Sequence, residues 1–140
     1  MLSEPRTAEL SAAYLQTIYQ VKFERRSVRL HLDRSNVGLA TALHQNRSSW
    51  ALVGAVNPMS RTYPVKHNQF RQRELERALR RRKAVFFPAS GLAPDGSWHE
   101  PAVWIVDQTH QLAEMLGYRY AQAAIVIGQG QLPGRLRWLI

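Results

Sequence analysis

At 140 residues, with 45% hydrophobic and 21% charged side chains, the chain is long enough to bury one core and too apolar for a disordered segment. It has no cysteine, which excludes disulfides and thiolate metal sites. Nineteen Lys and Arg against ten Asp and Glu give a formal charge of +9 and an isoelectric point near 10.8; such a surface attracts polyanions, and equally describes a basic protein with no specific partner.

Glu4, Pro5 and Arg6 stand where a secretion signal needs apolar residues. No apolar run approaches the ~20 residues of a membrane helix. The sequence therefore predicts a cytoplasmic protein. Residues 5–16 read as a helix with Leu10, Ala13 and Tyr14 on one face, capped by Ser3 or Thr7. Near Thr17 the period changes to two: Tyr19, Val21 and Phe23 alternate with polar residues, Arg25–Ser27 make a turn, and Val28, Leu30 and Leu32 complete a hairpin. Asp33 or Ser35 begins a short helix reaching about Gln45. Residues 50–56 are almost continuously apolar, as in a strand buried on both faces, and stop at Asn57-Pro58. A polar helix over 65–82, a strand over 84–88, a Gly/Pro/Asp-rich loop over 91–98 and a strand over 102–106 follow. Thr109 caps a helix that Gly117 ends, and strands at 123–127 and 136–140 close the chain. With no linker or repeat, residues 1–140 form one domain. Its expected class is α+β, with a mixed five- to seven-stranded sheet packed by about four helices.

Placed at 100° intervals, Leu75, Ala78 and Leu79 share the arc of the 65–82 helix that faces the sheet, and Phe70 is expected to join them. Arg71 falls near the centre of that arc, with Asn68 one turn before it. An inward guanidinium must find an acceptor, because an unpaired buried charge costs several kcal/mol. Either it pairs with a carboxylate or with carbonyls at a strand end and stitches helix to sheet, or it grips a ligand carboxylate or phosphate with its planar fork. The loop Asn57-Pro58-Met59-Ser60-Arg61 leaves the C-terminal end of the apolar strand, where open α/β sheets commonly hold ligands.

The strand 50–56 running into Asn57-Pro58-Met59-Ser60 resembles the bacterial domain of unknown function 3293 family. So do Asn68-Gln69-Phe70-Arg71 with Leu75 and Leu79, Gly91, the segment 96–101, Leu116-Gly117 and Gln122-Ala123-Ala124-Ile125. The likeness runs from about residue 14 to 140. It implies no activity; it implies that Asn57, Ser60, Asn68, Arg71 and Glu100 belong together. Ala121 stands where that family usually has glycine.

Glu100, beside Trp98 and His99, is either the partner of Arg71, a ligand-orienting group, or an acid/base with His99. The five histidines have no metal-ligand spacing, and Gly128-Gln129-Gly130 lacks the following helix a dinucleotide loop requires, so neither metal nor cofactor is expected. Arg73, Arg77, Arg80 and Arg81 share the outer face of the polar helix and could rest on phosphates, without the aromatic side chains that stack on bases. Three functions follow from these residues. The first is a binding module with a polar pocket at Asn57, Ser60, Asn68, Arg71 and Glu100 for a small anionic ligand. The second is a nucleic-acid- or ribosome-associated protein using the arginine face, or a subunit of a larger assembly. The third is an enzyme working through Glu100 or His99.

Overall fold

In the computed structural model, which describes residues 4–23, 25–43 and 48–140, three α-helices and seven strands alternate along the chain. They are α1 (Glu4–Gln16), β1 (Ile18–Phe23), β2 (Arg26–Leu30), β3 (Ser49–Gly54), α2 (Val65–Arg81), β4 (Val85–Leu92), β5 (His99–Val106), α3 (His110–Arg119), β6 (Ala124–Gln129) and β7 (Arg135–Trp138). Short 3-10 turns lie at Val37–Ala42 and Pro58–Ser60. The strands form one sheet in the order β2-β1-β4-β5-β3-β6-β7.

Every neighbouring pair in that sheet is antiparallel, which corrects the mixed sheet expected from helices alternating with strands. The reason is topological. The crossover through α2 takes β3 to β4, and the crossover through α3 takes β5 to β6, but each jumps over one strand. The skipped strand runs antiparallel to both of its neighbours, so parallel strands never touch. This β3-α2-β4-β5-α3-β6 unit has the split β-α-β order of the ferredoxin-like motif. The β1–β2 hairpin extends it at β4, and β7 extends it at β6.

The helix count is also corrected, from about four to three. The helix expected from Asp33 or Ser35 toward Gln45 is replaced by the 3-10 turn Val37–Ala42, which contains Gly38. Six residues with a glycine near the start make a poor nucleus for an α-helix. Gln45 itself, and the Ser3 cap, lie outside the described residues. The loop expected over 91–98 is mostly a hairpin: β4 and β5 stay paired as far as Leu92 and His99. Asp95 accepts from the Ser97 N–H at 3.0 Å and Gly96 supplies the positive φ of 77° that the tight turn needs.

Two layers of core follow from the period of two along each strand. Val53, Val103 and Ile125 face α2 and α3 and pack with Leu75, Leu79 and Leu116. The alternate residues Leu52, Trp104 and Val126 face the other way, with Trp50, Tyr19, Val21 and Leu39. Leu75 and Leu79 are fully buried, and each contributes roughly 1.5–3 kcal/mol by leaving water. Phe70, expected beside them, is instead 59% exposed. The first inward turns of α2 are occupied by Asn68 and Arg71, which reach the end of β3.

Thr109 caps α3, accepting from the Leu112 N–H at 3.3 Å. Gly117 does not end that helix. It lies inside it, where a Cβ would run into Leu139, and the reversal comes at Ala121 with φ 54°. On the second face, the two outer strands of the sheet are tied together by Asn36, buried to 1%. Its Nδ2 donates to the carbonyls of His31 and Leu132 at 3.0 Å each, and its Oδ1 accepts from the His31 N–H at 2.6 Å. Gly134 N–H adds a bond to the His31 carbonyl at 2.9 Å. The outer strands of the curled sheet are thus tied to one another at one end, and the last turn of α1 reaches the same face through Tyr14.

Candidate functional site

The end of β3 is built around residues that let backbones come close. Gly54 sits where a Cβ would lie 3.0 Å from Gln122 Oε1, and Gln122 Nε2 in turn donates to the carbonyls of Val56 and Tyr120 at 3.1 Å. Beyond it the chain turns through Asn57 (φ 47°), Met59 (φ 52°) and Ser60 (φ 60°), with Pro58 between them. Asn tolerates the left-handed region; Met and Ser do so at a cost of order 1–3 kcal/mol each. The strain is held in place by Met59 N–H donating to the Ala121 carbonyl at 2.7 Å and Ser60 N–H to that of Asn57 at 2.8 Å.

Asn57 and Asn68 clamp one another. Asn68 Oδ1 accepts from the Asn57 N–H at 2.9 Å, and Asn68 Nδ2 donates to Asn57 Oδ1 at 2.8 Å. The same oxygen accepts from the Tyr63 N–H at 3.0 Å, while Asn57 Nδ2 donates to Glu100 Oε1 at 2.7 Å. Every polar group of the Asn57 side chain is therefore engaged, and its last bond aims the Glu100 carboxylate. Glu100 reaches that position because it begins the inward row of β5 that continues through Ala102 and Trp104.

A cavity of about 470 Å³ opens between this loop, the inner face of the sheet and the C-terminal turn of α1. Leu52, Val56, Ala102 and Val126 make its apolar wall; Asn57, Ser60, Glu100 and Gln122 make its polar edge; Tyr14, Tyr19 and Trp98 add aromatic rings. Tyr14 is fixed by an edge-on contact with Trp138, 5.4 Å between centroids, and by a hydrogen bond with Ser60. Burial pushes its phenol pKa above the usual tyrosine value. The Ser60 bond opposes that shift, and the Glu100 charge adds to it. Tyr19, whose hydroxyl donates to the Tyr14 carbonyl at 3.0 Å, is raised further, first by burial and then by the neighbouring Tyr14 and Glu100.

Of the five residues that the sequence groups together, three line the cavity: Asn57, Ser60 and Glu100. Asn68 stands behind the wall as the clamp on Asn57. Arg71 lies on the opposite side of the sheet end. Its Nε donates to the Ala55 carbonyl at 2.6 Å, one NH2 donates to the Tyr120 carbonyl, and the guanidinium lies 5.8 Å from the Tyr120 ring centroid. It stitches α2 to β3 and α3, so no arginine or lysine is among the described residues lining the cavity.

His99 also lines the cavity with an exposed side chain. Among the outer arginines, Arg77 pairs with Glu74 at 2.6 Å and Arg80 approaches Glu76 at 3.9 Å, leaving Arg73 and Arg81 without an ion-pair partner among the described residues. No three His, Asp or Glu side chains come together among the described residues as a metal site would require. No helix among them is long and apolar enough to cross a membrane.

Sequence reasoning passes over Tyr14 and Gly54 as site residues. Tyr14 reads only as one more apolar position of a helix face. Gly54 carried a usable signal, since a glycine inside a buried strand commonly marks a close approach of another group.

The family model described as "Protein of unknown function (DUF3293)" matches residues 53–125. The chain belongs to this family. No curated protein and no solved structure matches it. The matched family segment runs from the end of β3 to the start of β6. It therefore contains the Asn57–Ser60 loop, Asn68, Arg71, Glu100 and Gln122, while Tyr14 and the rest of α1 lie outside it.

Proposed function

We propose that this protein binds a small polar molecule in the cavity beside the last turn of α1, with Glu100 and Ser60 as the groups that hold it and Asn57 as the residue that orients Glu100. The observation that carries this reading is the conjunction of an apolar-walled cavity with a few convergent polar groups on a strained loop. Small-molecule sites have this composition, and backbone strain of this kind persists where the surroundings enforce it, often at ligand clamps. The anionic ligand expected from Arg71 loses support, because that guanidinium is occupied by two carbonyls outside the cavity.

A thermal-shift screen with small polar compounds tests the proposal, since a ligand that binds only the folded state raises its melting temperature by mass action. Ala102→Leu fills the cavity from its sheet wall and should remove the shift while leaving the protein folded. If no compound raises the melting temperature, or if the shift survives Ala102→Leu, the cavity is not a binding site.

The nucleic-acid reading rests on the +9 charge and on Arg73 and Arg81, with Arg77 and Arg80 partly neutralised by their own helix. It requires retention of duplex DNA or RNA that falls steeply with salt. An acid–base role for Glu100 and His99 requires a substrate turned over by the native protein and spared by Glu100→Gln.

A further inference from the structure

Resting on the cavity reading above, we infer that the ligand presents a cationic nitrogen, an alkylammonium or amidine-like group, to Glu100. One carboxylate oxygen is fixed by Asn57 Nδ2 at 2.7 Å; the other has no hydrogen-bond or ion-pair partner among the described residues. Apart from the titratable His99, Glu100 is the only ionisable side chain with a formal charge at neutral pH on the described cavity wall. This occurs in a chain with nineteen Lys and Arg, so the missing counter-cation does not reflect any scarcity of arginine. A half-buried carboxylate beside apolar residues is stabilised by a cation that reaches its open oxygen.

The walls suit the same ligand. Trp98, Tyr14 and Tyr19 line the cavity on which Glu100 opens, and aromatic faces attract cations. The two phenols are neutral at physiological pH, as an ordinary tyrosine is, and burial raises them further, so their hydroxyls serve as hydrogen-bonding groups and add no charge. The apolar wall of Leu52, Val56 and Val126 receives the alkyl or ring body of the molecule. Arg71, the cation that the sequence places at this site, remains on the far side of the sheet end. The role expected of a protein cation facing an anionic ligand is thus inverted: here the protein supplies the anion.

Three probes that share a butyl group decide the charge preference: butylammonium, butanol and pentanoate, with cyclohexylammonium, cyclohexanol and cyclohexanecarboxylate as a bulkier set. Affinity is read by calorimetric titration or thermal shift at pH 7 on the full chain. Glu100→Gln keeps an oxygen for Asn57 Nδ2, so the loop remains held while the charge is removed. The ammonium probes should bind at least about tenfold more tightly than the alcohols and lose that advantage in Glu100→Gln, the carboxylates being weakest. If alcohols or carboxylates bind as well as ammonium and Ala102→Leu abolishes all three, the cation inference is wrong and the cavity reading stands. If no probe binds, or binding is indifferent to Ala102→Leu, both are wrong.

Discussion

Replacing Arg71 with alanine separates the two roles that its inward position allows. The structure gives the guanidinium two backbone partners, the carbonyls of Ala55 and Tyr120. Tyr120 keeps a second donor, Gln122 Nε2 at 3.1 Å, so its carbonyl is not orphaned by the change. Ala55 belongs to a fully buried residue and loses its charged donor. A hydrogen bond to a charged group contributes about 1.5–3 kcal/mol, and a buried acceptor left alone costs a comparable amount. With partial retention at Tyr120, the expected loss of stability is about 2–4 kcal/mol. At ~3 °C for each kcal/mol in a chain of this length, the melting temperature falls by roughly 6–12 °C. Urea unfolding followed by circular dichroism is the direct assay: the midpoint should drop with little change in slope. Arg71→Lys should recover only part of the loss, because an ammonium lacks the fork that spans two carbonyls. A stability within about 0.5 kcal/mol of the native protein, the usual range for a surface change, combined with loss of ligand binding, would refute the stitching role and return Arg71 to the pocket.

Ala121→Gly should stabilise the protein by up to about 1 kcal/mol, measured by the same urea titration, because φ 54° at this helix end burdens a Cβ and not a glycine. Asn36→Ala should destabilise by about 2–4 kcal/mol, since it leaves the His31 N–H and the Leu132 carbonyl without their side-chain partner; an unchanged urea midpoint would mean that the sheet edges hold without it. The raised phenols of Tyr14 and Tyr19 give stability a direction with pH. In the unfolded chain both ionise near pH 10, whereas the folded chain resists, so their contribution is intact below about pH 10 and declines above it. The slope is at most about 1.4 kcal/mol per pH unit for each phenol, and unfolding midpoints from pH 9 to 11 should show it shallower in Tyr14→Phe.

Strand β3 was legible from its unbroken apolar run, and the inner arc of α2 from the spacing of Leu75, Ala78 and Leu79, because both are local periodicities. The antiparallel pairing was not. It depends on β5 lying between β3 and β4, a long-range choice that no window of sequence contains. The presence of acceptors for Arg71 followed from the expense of burying a charge, but their identity did not: backbone carbonyls leave no trace in a sequence. Phe70 follows the helical wheel and not the expectation placed on it: at 100° per residue it stands roughly 130° from the middle of the arc of Leu75, Ala78 and Leu79, on the exposed side of α2. Asn57, Ser60 and Glu100 could be grouped by resemblance to a family, whereas the contribution of Tyr14 needed the fold, which brings α1 back across the sheet to Ser60.

The proposed binding site is the cavity bordered by Glu100 and the Asn57–Ser60 loop, and not the arginine face of α2. Amide chemical shifts of the isotopically labelled protein, followed during titration with the cationic and neutral probes, test it most directly. Saturable changes concentrated at Gly54, Ser60, Glu100 and Gln122 are expected, with Arg73, Arg77 and Arg81 unmoved. Changes confined to the α2 face, or none in the cavity at saturating probe, would contradict it.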